Sequence, residues 1–160
     1  MRTRRGSALT EVLIAVFIVT LLVLSIAAIS PMSMRMQRRA QQFTLATNVA
    51  QTALERVRTL DFLQITAEGL IAAGLGQTIE LNETNRFRVR FTTLQTPGGG
   101  TLNLADEFRN GFGTIEVVNL TTNNNISIGL KSIILTVRWQ EPRTNDWQQV
   151  QMATLVASLK

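Results

Sequence analysis

The fold is decided by Arg4-Arg5-Gly6-Ser7-Ala8-Leu9-Thr10-Glu11 and by the apolar run after it, VLIAVFIVTLLVLSIAAI at 12–29. At the rise of an α-helix this run is about 27 Å long, which matches the ~30 Å hydrocarbon core of a bilayer. Basic residues that precede an apolar span stay on the cytoplasmic side. The sequence therefore predicts one membrane-spanning helix, with the residues after it outside the cytoplasm.

Glu11 stands at the head of the apolar run, where an ionised carboxylate is unexpected. A charge at the edge of hydrocarbon costs on the order of a few kcal/mol unless a partner neutralises it. We therefore expect Glu11 to have a positively charged partner. Two simpler interpretations are an uncleaved transmembrane anchor and an ordinary secretory signal removed around Ser25–Ala27, although an ordinary signal has no use for a carboxylate at this position.

These residues resemble the N-terminus of the type IV prepilin family. In that family a short basic leader ends in glycine, a membrane-bound prepilin peptidase cuts after it, and the new N-terminus is methylated. The resemblance implies that residues 1–6 are the leader, with Arg4 and Arg5 as its charge. It also implies cleavage between Gly6 and Ser7 and N-methylation of Ser7. Ser7 departs from the family, in which phenylalanine or methionine is commoner at that place.

The resemblance also implies an assembly role for Glu11, because a glutamate stands fifth after the cut in the family. That glutamate is thought to pair with the N-terminal amine of an adjacent subunit, and such an amine can offset a buried carboxylate. The simpler interpretation is that Glu11 lies at headgroup level with its charge solvated. The implied partners are prepilin peptidase, other pilins or pseudopilins through the N-terminal helix, an inner-membrane assembly platform and membrane lipid.

Composition sets limits on the rest of the chain. The 160 residues carry a formal charge of +5, and removal of the three leader arginines lowers it by three, to +2. The basic balance is thus a targeting signal rather than a nucleic-acid footprint. Cysteine and histidine are both absent, which excludes disulfides and removes common metal ligands, general bases and thiol nucleophiles. We expect no enzyme, no metal site and no cofactor.

A helical pattern continues beyond the apolar run. Pro31 predicts a helix break, as a kink or a local melt near Met32, because proline removes a backbone hydrogen bond and clashes with the preceding turn. Arg35, Arg38 and Arg39 are predicted to lie at the outer membrane interface. Apolar residues then recur three or four apart as one stripe of an amphipathic helix: Phe43, Ala46, Ala50, Ala53, Leu54, Val57 and Leu60.

Strand patterns with a period of two follow the helix. Candidate strands cover 77–81, 86–93, 114–121, 131–140 and 147–159, with a short edge piece at 126–130. We expect a turn at 82–85, a looser segment from 61 to 76, and a loop or ragged edge from 97 to 113. The pattern predicts an antiparallel sheet of four or five strands.

Arg86, Arg88 and Arg90 alternate with apolar residues and therefore share one strand face. Such a basic row is a candidate contact for DNA phosphates. A solvated strand face is the favoured interpretation, because Glu80 and Glu83 lie on the predicted partner strand. We do not expect a nucleic-acid partner.

The predicted fold class is α+β, type IV pilin-like. A long N-terminal helix, transmembrane in its first half, packs its second half on a small antiparallel sheet. The predicted boundaries are a cleaved leader at 1–6, a transmembrane or filament-core helix at 7–34, its amphipathic continuation at 35–62, and a sheet head at 63–160.

The stretches 135–139 and 150–154 resemble the final hairpin of the minor pilins called pilus modification proteins, and of a related minor pseudopilin of type II secretion. The resemblance implies a minor pilin of a type IV pilus. Such a subunit is held in the bacterial inner membrane with its head outside the cytoplasm, and then enters an extracellular or periplasmic filament. The alternatives are a minor pseudopilin of a type II secretion system, a DNA-uptake pilin and a plain anchored binding domain.

Overall fold

The computed structural model describes residues 5–96, 99–120, 129–142 and 144–158, and the side chains of 5–8 and 28–31 lie outside that description. Predictions that concern Arg4, or the side chains of Arg5 and Ser7, therefore fall outside the described residues. Residues 126–128 of the edge piece predicted at 126–130 also lie outside the described residues. The chain forms two compact units, Met1–Gln42 and Phe43–Lys160.

Helix α1 (Arg5–Thr59) supplies the described part of the first unit. Its helical backbone continues through residues 28–34, so the local melt predicted near Met32 is wrong. Proline removes one backbone bond at Pro31, but the bonds of the neighbouring residues are enough to keep the helix formed. A change of axis direction at Pro31 stays a prediction.

In the first unit α1 exposes apolar side chains along its length. Those of Leu9, Val12, Phe17 and Ile26 are between 63% and 69% exposed. No residue in the part of the chain that the structure describes covers this segment, which is long and apolar enough to cross a membrane. The described residues of this unit therefore form no core of their own, and their apolar surface requires an environment other than water.

In the second unit the remainder of α1 packs on the core. Ala46, Ala50, Ala53 and Val57 are fully buried, as the amphipathic stripe predicts. Alanine has a small side chain, so the helix backbone can approach its neighbours closely. The regular helix ends at Thr59, just before the looser segment predicted from 61 to 76.

The segment predicted as loose contains two short helices. A single 3₁₀ turn covers Phe62–Gln64, and α2 covers Ala67–Ala72. Thr66 caps α2, because its side-chain oxygen accepts a hydrogen bond from the backbone N–H of Gly69 at 3.0 Å. The sequence signal for α2 was Thr66, a good N-cap residue ahead of the apolar pair Leu70-Ile71. Gly69 and Gly74, on either side of that pair, made the segment resemble a loop.

In the part of the chain that the structure describes, seven strands form two antiparallel sheets. The strands are β1 (Thr78–Glu83), β2 (Arg86–Phe91), β3 (Thr93–Gln95), β4 (Thr101–Asn103), β5 (Phe112–Leu120), β6 (Leu130–Gln140) and β7 (Trp147–Ala157). The larger sheet has the order β1-β2-β5-β6-β7, and β3 pairs with β4 in the smaller one. Together with α1 this confirms an α+β fold with a five-stranded antiparallel sheet.

Three predicted boundaries are corrected. The strand predicted at 86–93 divides, because β2 ends at Phe91 and β3 begins at Thr93. The turn predicted at 82–85 is narrower, since β1 continues to Glu83. The loop predicted at 97–113 contains β4 and a short helix, α3 (Leu104–Glu107). Burial of Leu104 and Phe108 explains this local order, because an apolar anchor at each end holds the segment against the core.

The inner face of the large sheet forms the core with α1. Trp139 is only 1% exposed, and its ring lies 5.1 Å from that of Phe43 and 5.3 Å from that of Phe108. Gly113 faces the same side, where an added Cβ would stand 2.0 Å from the Phe91 ring, so only glycine fits there. The strands alternate as predicted, with Phe91 inward and Arg90 outward.

We predict that Trp139→Ala lowers the free energy of unfolding by about 3–5 kcal/mol, because the cavity left beside the rings of Phe43 and Phe108 cannot close. The measurement is urea unfolding of a fragment of residues 40–160, which should be soluble and, without cysteine, insensitive to reductant. Trp147→Ala is the matched control. Trp147 is 53% exposed, so its loss should cost less than about 1 kcal/mol. Equal effects of the two substitutions would contradict the assignment of sheet faces.

Candidate functional site

Two hydroxyl side chains in the apolar part of α1 form hydrogen bonds to the backbone of the same helix. The Thr20 hydroxyl donates to the carbonyl of Val16 at 2.7 Å, and the Ser25 hydroxyl donates to the carbonyl of Leu21 at 2.8 Å. A hydroxyl that is bonded to its own helix needs no partner from lipid or from another chain. These two residues therefore do not interrupt the apolar character of the segment.

Glu11 is different, because it is the only ionisable side chain between Ser7 and Met34. Its side chain is exposed, and the apolar residues begin immediately after it at Val12. Ser7 lies four residues earlier in the same helical backbone, about one turn away. A charge at Ser7 and the carboxylate of Glu11 would thus lie at the same end of the apolar segment. Arg35, Arg38 and Arg39, at the other end, have exposed side chains.

A second group of charged residues lies on the outward face of the five-stranded sheet. We call this the outer sheet face and define it by ten residues: Arg86, Arg88, Arg90, Phe112, Thr114, Glu116, Thr136, Arg138, Gln149 and Gln151. The register of β2, β5, β6 and β7 brings these side chains together. They come from four strands, so the residues are close in space although they are far apart in sequence.

Glu116 holds two of the three arginines of the predicted basic row. Its Oε1 lies 2.6 Å from Arg86, and its Oε2 accepts a hydrogen bond from Nε of Arg88 at 3.0 Å. Partial burial raises the pKa of Glu116, but the hydrogen bonds and charges of Arg88 and Arg86 outweigh that effect, and the net pKa is lowered. A DNA phosphate at Arg86 or Arg88 would have to compete with this carboxylate.

The third arginine of the row has a longer ion pair and an aromatic contact. Arg90 lies 3.8 Å from Glu80, and its guanidinium is 4.0 Å from the centre of the Phe112 ring. Trp147 meets the same ring edge to face, with centroids 5.8 Å apart. A guanidinium over an aromatic ring is a favourable electrostatic contact. Arg90, Phe112 and Trp147 therefore form one contiguous cluster at the end of the sheet.

Lys131 is a partly buried cation inside the second unit. Its Nζ donates to the backbone carbonyls of Phe62 and Ile65, both at 2.8 Å, and lies 4.4 Å from the centre of the Phe62 ring. Burial lowers the pKa of Lys131. The contacts attach the 3₁₀ turn after α1 to the start of β6, which is a structural role.

Sequence reasoning placed the three arginines on one face and missed Glu116 as their principal partner. The signal was available, because the strand pattern at 114–121 puts Glu116 on the polar side. What the pattern could not supply was the order of strands, since β5 pairs with β2 only after β3, β4 and α3 are passed. Among the described residues, no group of three or more acidic side chains is placed to hold a metal ion.

We predict that Glu116→Gln lowers the free energy of unfolding by about 1 kcal/mol at neutral pH, because two charge-assisted hydrogen bonds are weakened. A carboxyl whose pKa is lowered by folding stabilises the protein above its unfolded value of 4.5, and this contribution is lost as the pH falls through the folded value. The difference between the two proteins should therefore shrink from about pH 5 toward about pH 2. Urea unfolding at several pH values measures it.

The control for that experiment is Glu107→Gln, because Glu107 is exposed and has no ion pair among the described residues. Its effect should be small at every pH. A Glu116→Gln difference that stays constant across the same pH range would show that the ion pairs do not contribute to stability.

No family model, no curated protein and no solved structure matches this chain. The resemblance to prepilins therefore rests on the residues of the chain itself. Those are the basic leader, Gly6, Ser7, Glu11 and the apolar run.

Proposed function

We propose that the chain is a minor pilin, a structural subunit of a type IV pilus. The observation that carries the proposal is Glu11, which stands as the sole ionisable residue at the head of an exposed apolar helical segment, five residues after Gly6. A plain anchor requires the apolar segment alone. A filament subunit requires both the segment and the carboxylate.

The first support is the exposed apolar surface of α1. Side chains between Leu9 and Ile26 are about half or more exposed in the isolated chain. Fully burying one such side chain is worth roughly 1.5–3 kcal/mol. Membrane lipid supplies the burial before assembly, and the helices of neighbouring subunits supply it in the filament. The inner-membrane assembly platform is the partner that moves the subunit from one environment to the other.

The second support is that the negative charge of Glu11 can be neutralised by a positive N-terminal amine. Prepilin peptidase would cut between Gly6 and Ser7, and the new amine at Ser7, N-methylated, would carry a positive charge. In the filament core, an amine and a carboxylate from adjacent subunits neutralise each other, whereas either one alone would be a buried uncompensated charge. The pair selects subunits whose N-termini stand at the correct height.

The third support is the second unit. Its alanine-rich helix face packs on the core formed by the inner sheet face, while Thr44, Asn48, Gln51 and Glu55 stay exposed on the same helix. A subunit of this kind keeps a folded domain outside the membrane while its apolar segment is moved. No cysteine is present, so the domain holds by packing and hydrogen bonds.

We predict that coexpression with an active prepilin peptidase shortens the chain by residues 1–6, and that Gly6→Ala strongly reduces this cleavage. The peptidase reads the small residue before the cut, so the added methyl group should obstruct it. Intact-mass spectrometry measures both results. Gly100→Ala serves as the control, because Gly100 is exposed and an added Cβ there would meet only the hydroxyl of the Thr96 side chain. An intact Met1 in cells with active peptidase contradicts the proposal.

We predict that Glu11→Ala is inserted and cleaved normally but is depleted from sheared filaments. Removing a carboxylate makes the segment more apolar, so insertion does not suffer, whereas in the filament a neighbour's amine loses its partner at a cost of about 3–5 kcal/mol. Membrane and filament fractions are compared by quantitative mass spectrometry. Glu107→Ala, which changes an exposed carboxylate outside the apolar segment, should be incorporated at the wild-type level. Wild-type incorporation of Glu11→Ala would remove the assembly role.

A further inference from the structure

The outer sheet face contains an open concavity that the proposed function does not use. Its volume is about 470 Å³, within the range of pockets that bind small ligands. The walls come mainly from β2, β5, β6 and β7, and the side chains that matter below are Arg88, Glu116, Arg138, Gln149 and Gln151. Most ligand pockets are lined by apolar groups. This one is polar, so its ligand has to be polar over most of its surface.

The polar groups of the concavity alternate between hydrogen-bond donors and acceptors. Arg138 donates from Nε to Oε1 of Gln149 at 3.0 Å, and Gln151 adds a second amide beside it. Glu116 contributes acceptor oxygens between its two arginines. A hydroxyl group both donates and accepts, as does an amide, so a polyhydroxyl compound matches such a lining.

The charges of the same lining are close to balanced, because three arginines, Arg86, Arg88 and Arg138, stand beside the carboxylates of Glu80 and Glu116. Glu80 and Glu116 both line the concavity, and the guanidinium groups of Arg86 and Arg88 are already paired with Glu116. A phosphate or a nucleic-acid backbone would therefore meet two carboxylates as well as the arginines. A neutral ligand with many hydroxyls loses nothing to this arrangement.

An exposed aromatic ring adjoins the concavity. Trp147 is 53% exposed and rests edge to face on Phe112, which lines the concavity. A large ring held by a second ring loses little conformational entropy when it packs against a ligand, and the indole N–H remains as a donor. The apolar C–H face of a sugar ring is the surface such a group fits.

From these observations we propose that the outer sheet face binds a neutral oligosaccharide. One sugar unit occupies the concavity, where its hydroxyls bond to Arg138, Gln149 and Gln151, and an adjoining unit packs against Trp147. The openness of the site leaves the remainder of the glycan in solvent. The proposal concerns the second unit alone, and it stands whether or not the chain enters a filament.

The test measures acrylamide quenching of tryptophan fluorescence in the full chain, held in micelles of octaethylene glycol monododecyl ether so that no sugar detergent is present. The chain has two tryptophans, and Trp139 is buried, so quenching reports on Trp147. The probes are maltotriose, cellotriose, chitotriose and lactose, with inorganic phosphate and a deoxythymidine oligomer as the anionic comparison. We expect at least one of the sugars to protect Trp147 with a Kd of about 1 mM or tighter.

Substitutions in the lining of the concavity test whether the sugar binds there. Gln149→Ala and Gln151→Ala should each raise the Kd for that sugar about tenfold, the loss of one or two hydrogen bonds. Gln51→Ala is the matched control, because it removes an exposed glutamine of α1 that does not line the concavity. Unchanged emission from Trp139 shows that each variant is folded. Protection by phosphate or the oligomer alone, no protection by any of the sugars, or wild-type affinity in both glutamine variants would each overturn the proposal.

Discussion

The apolar side chains of α1 between Leu9 and Ile26 must be removed from water, and no described residue of the chain removes them. Each such side chain is worth roughly 1.5–3 kcal/mol when fully buried, whereas a whole domain is stable by only about 5–15 kcal/mol. Leaving all of these side chains in water would therefore cost more free energy than a typical domain gains by folding. The location of the protein therefore depends on which apolar environment buries this segment.

The part of α1 in the second unit buries its apolar residues within the chain itself. After Phe43 its apolar residues are restricted to a stripe, and the alanines of that stripe are buried by the unit itself. One continuous helix thus carries two kinds of apolar surface, one satisfied within the chain and one that is not. The change between them is a change in pattern, from apolar on all sides to apolar on one side.

Much of this could be predicted from the sequence because it depends on short-range periodicity. The stripe from Phe43 to Val57 and the alternation along β6 were predicted correctly, since each pattern repeats over several turns or pairs. The helices at 67–72 and 104–107 were missed because each is too short to show a period. At Pro31 a local rule predicted a kink or a local melt, and the helical backbone continues through this residue, which excludes only the melt.

Of the two candidate sites, one could be identified from short-range sequence patterns and the other could not. Glu11 could be singled out from the sequence because its significance lies in its immediate neighbours. The outer sheet face could not, because its concavity exists only once β2, β5, β6 and β7 are in register. No local pattern distinguishes Glu116 or Gln149 from an ordinary solvent-facing residue, and only the order of strands brings both beside the same concavity.

That strand order also has a consequence for how the domain folds. Two pairings, β1 with β2 and β6 with β7, are local hairpins, and β5 precedes β6, whereas β2 reaches β5 only after residues 92–111 have been closed into a loop. Loop closure costs entropy before the new contacts repay it. The small sheet of β3 and β4 shortens that loop by pairing within it. Closure of this loop therefore joins the β1-β2 hairpin to β5, β6 and β7 and completes the polar outer side and the apolar inner side of the sheet.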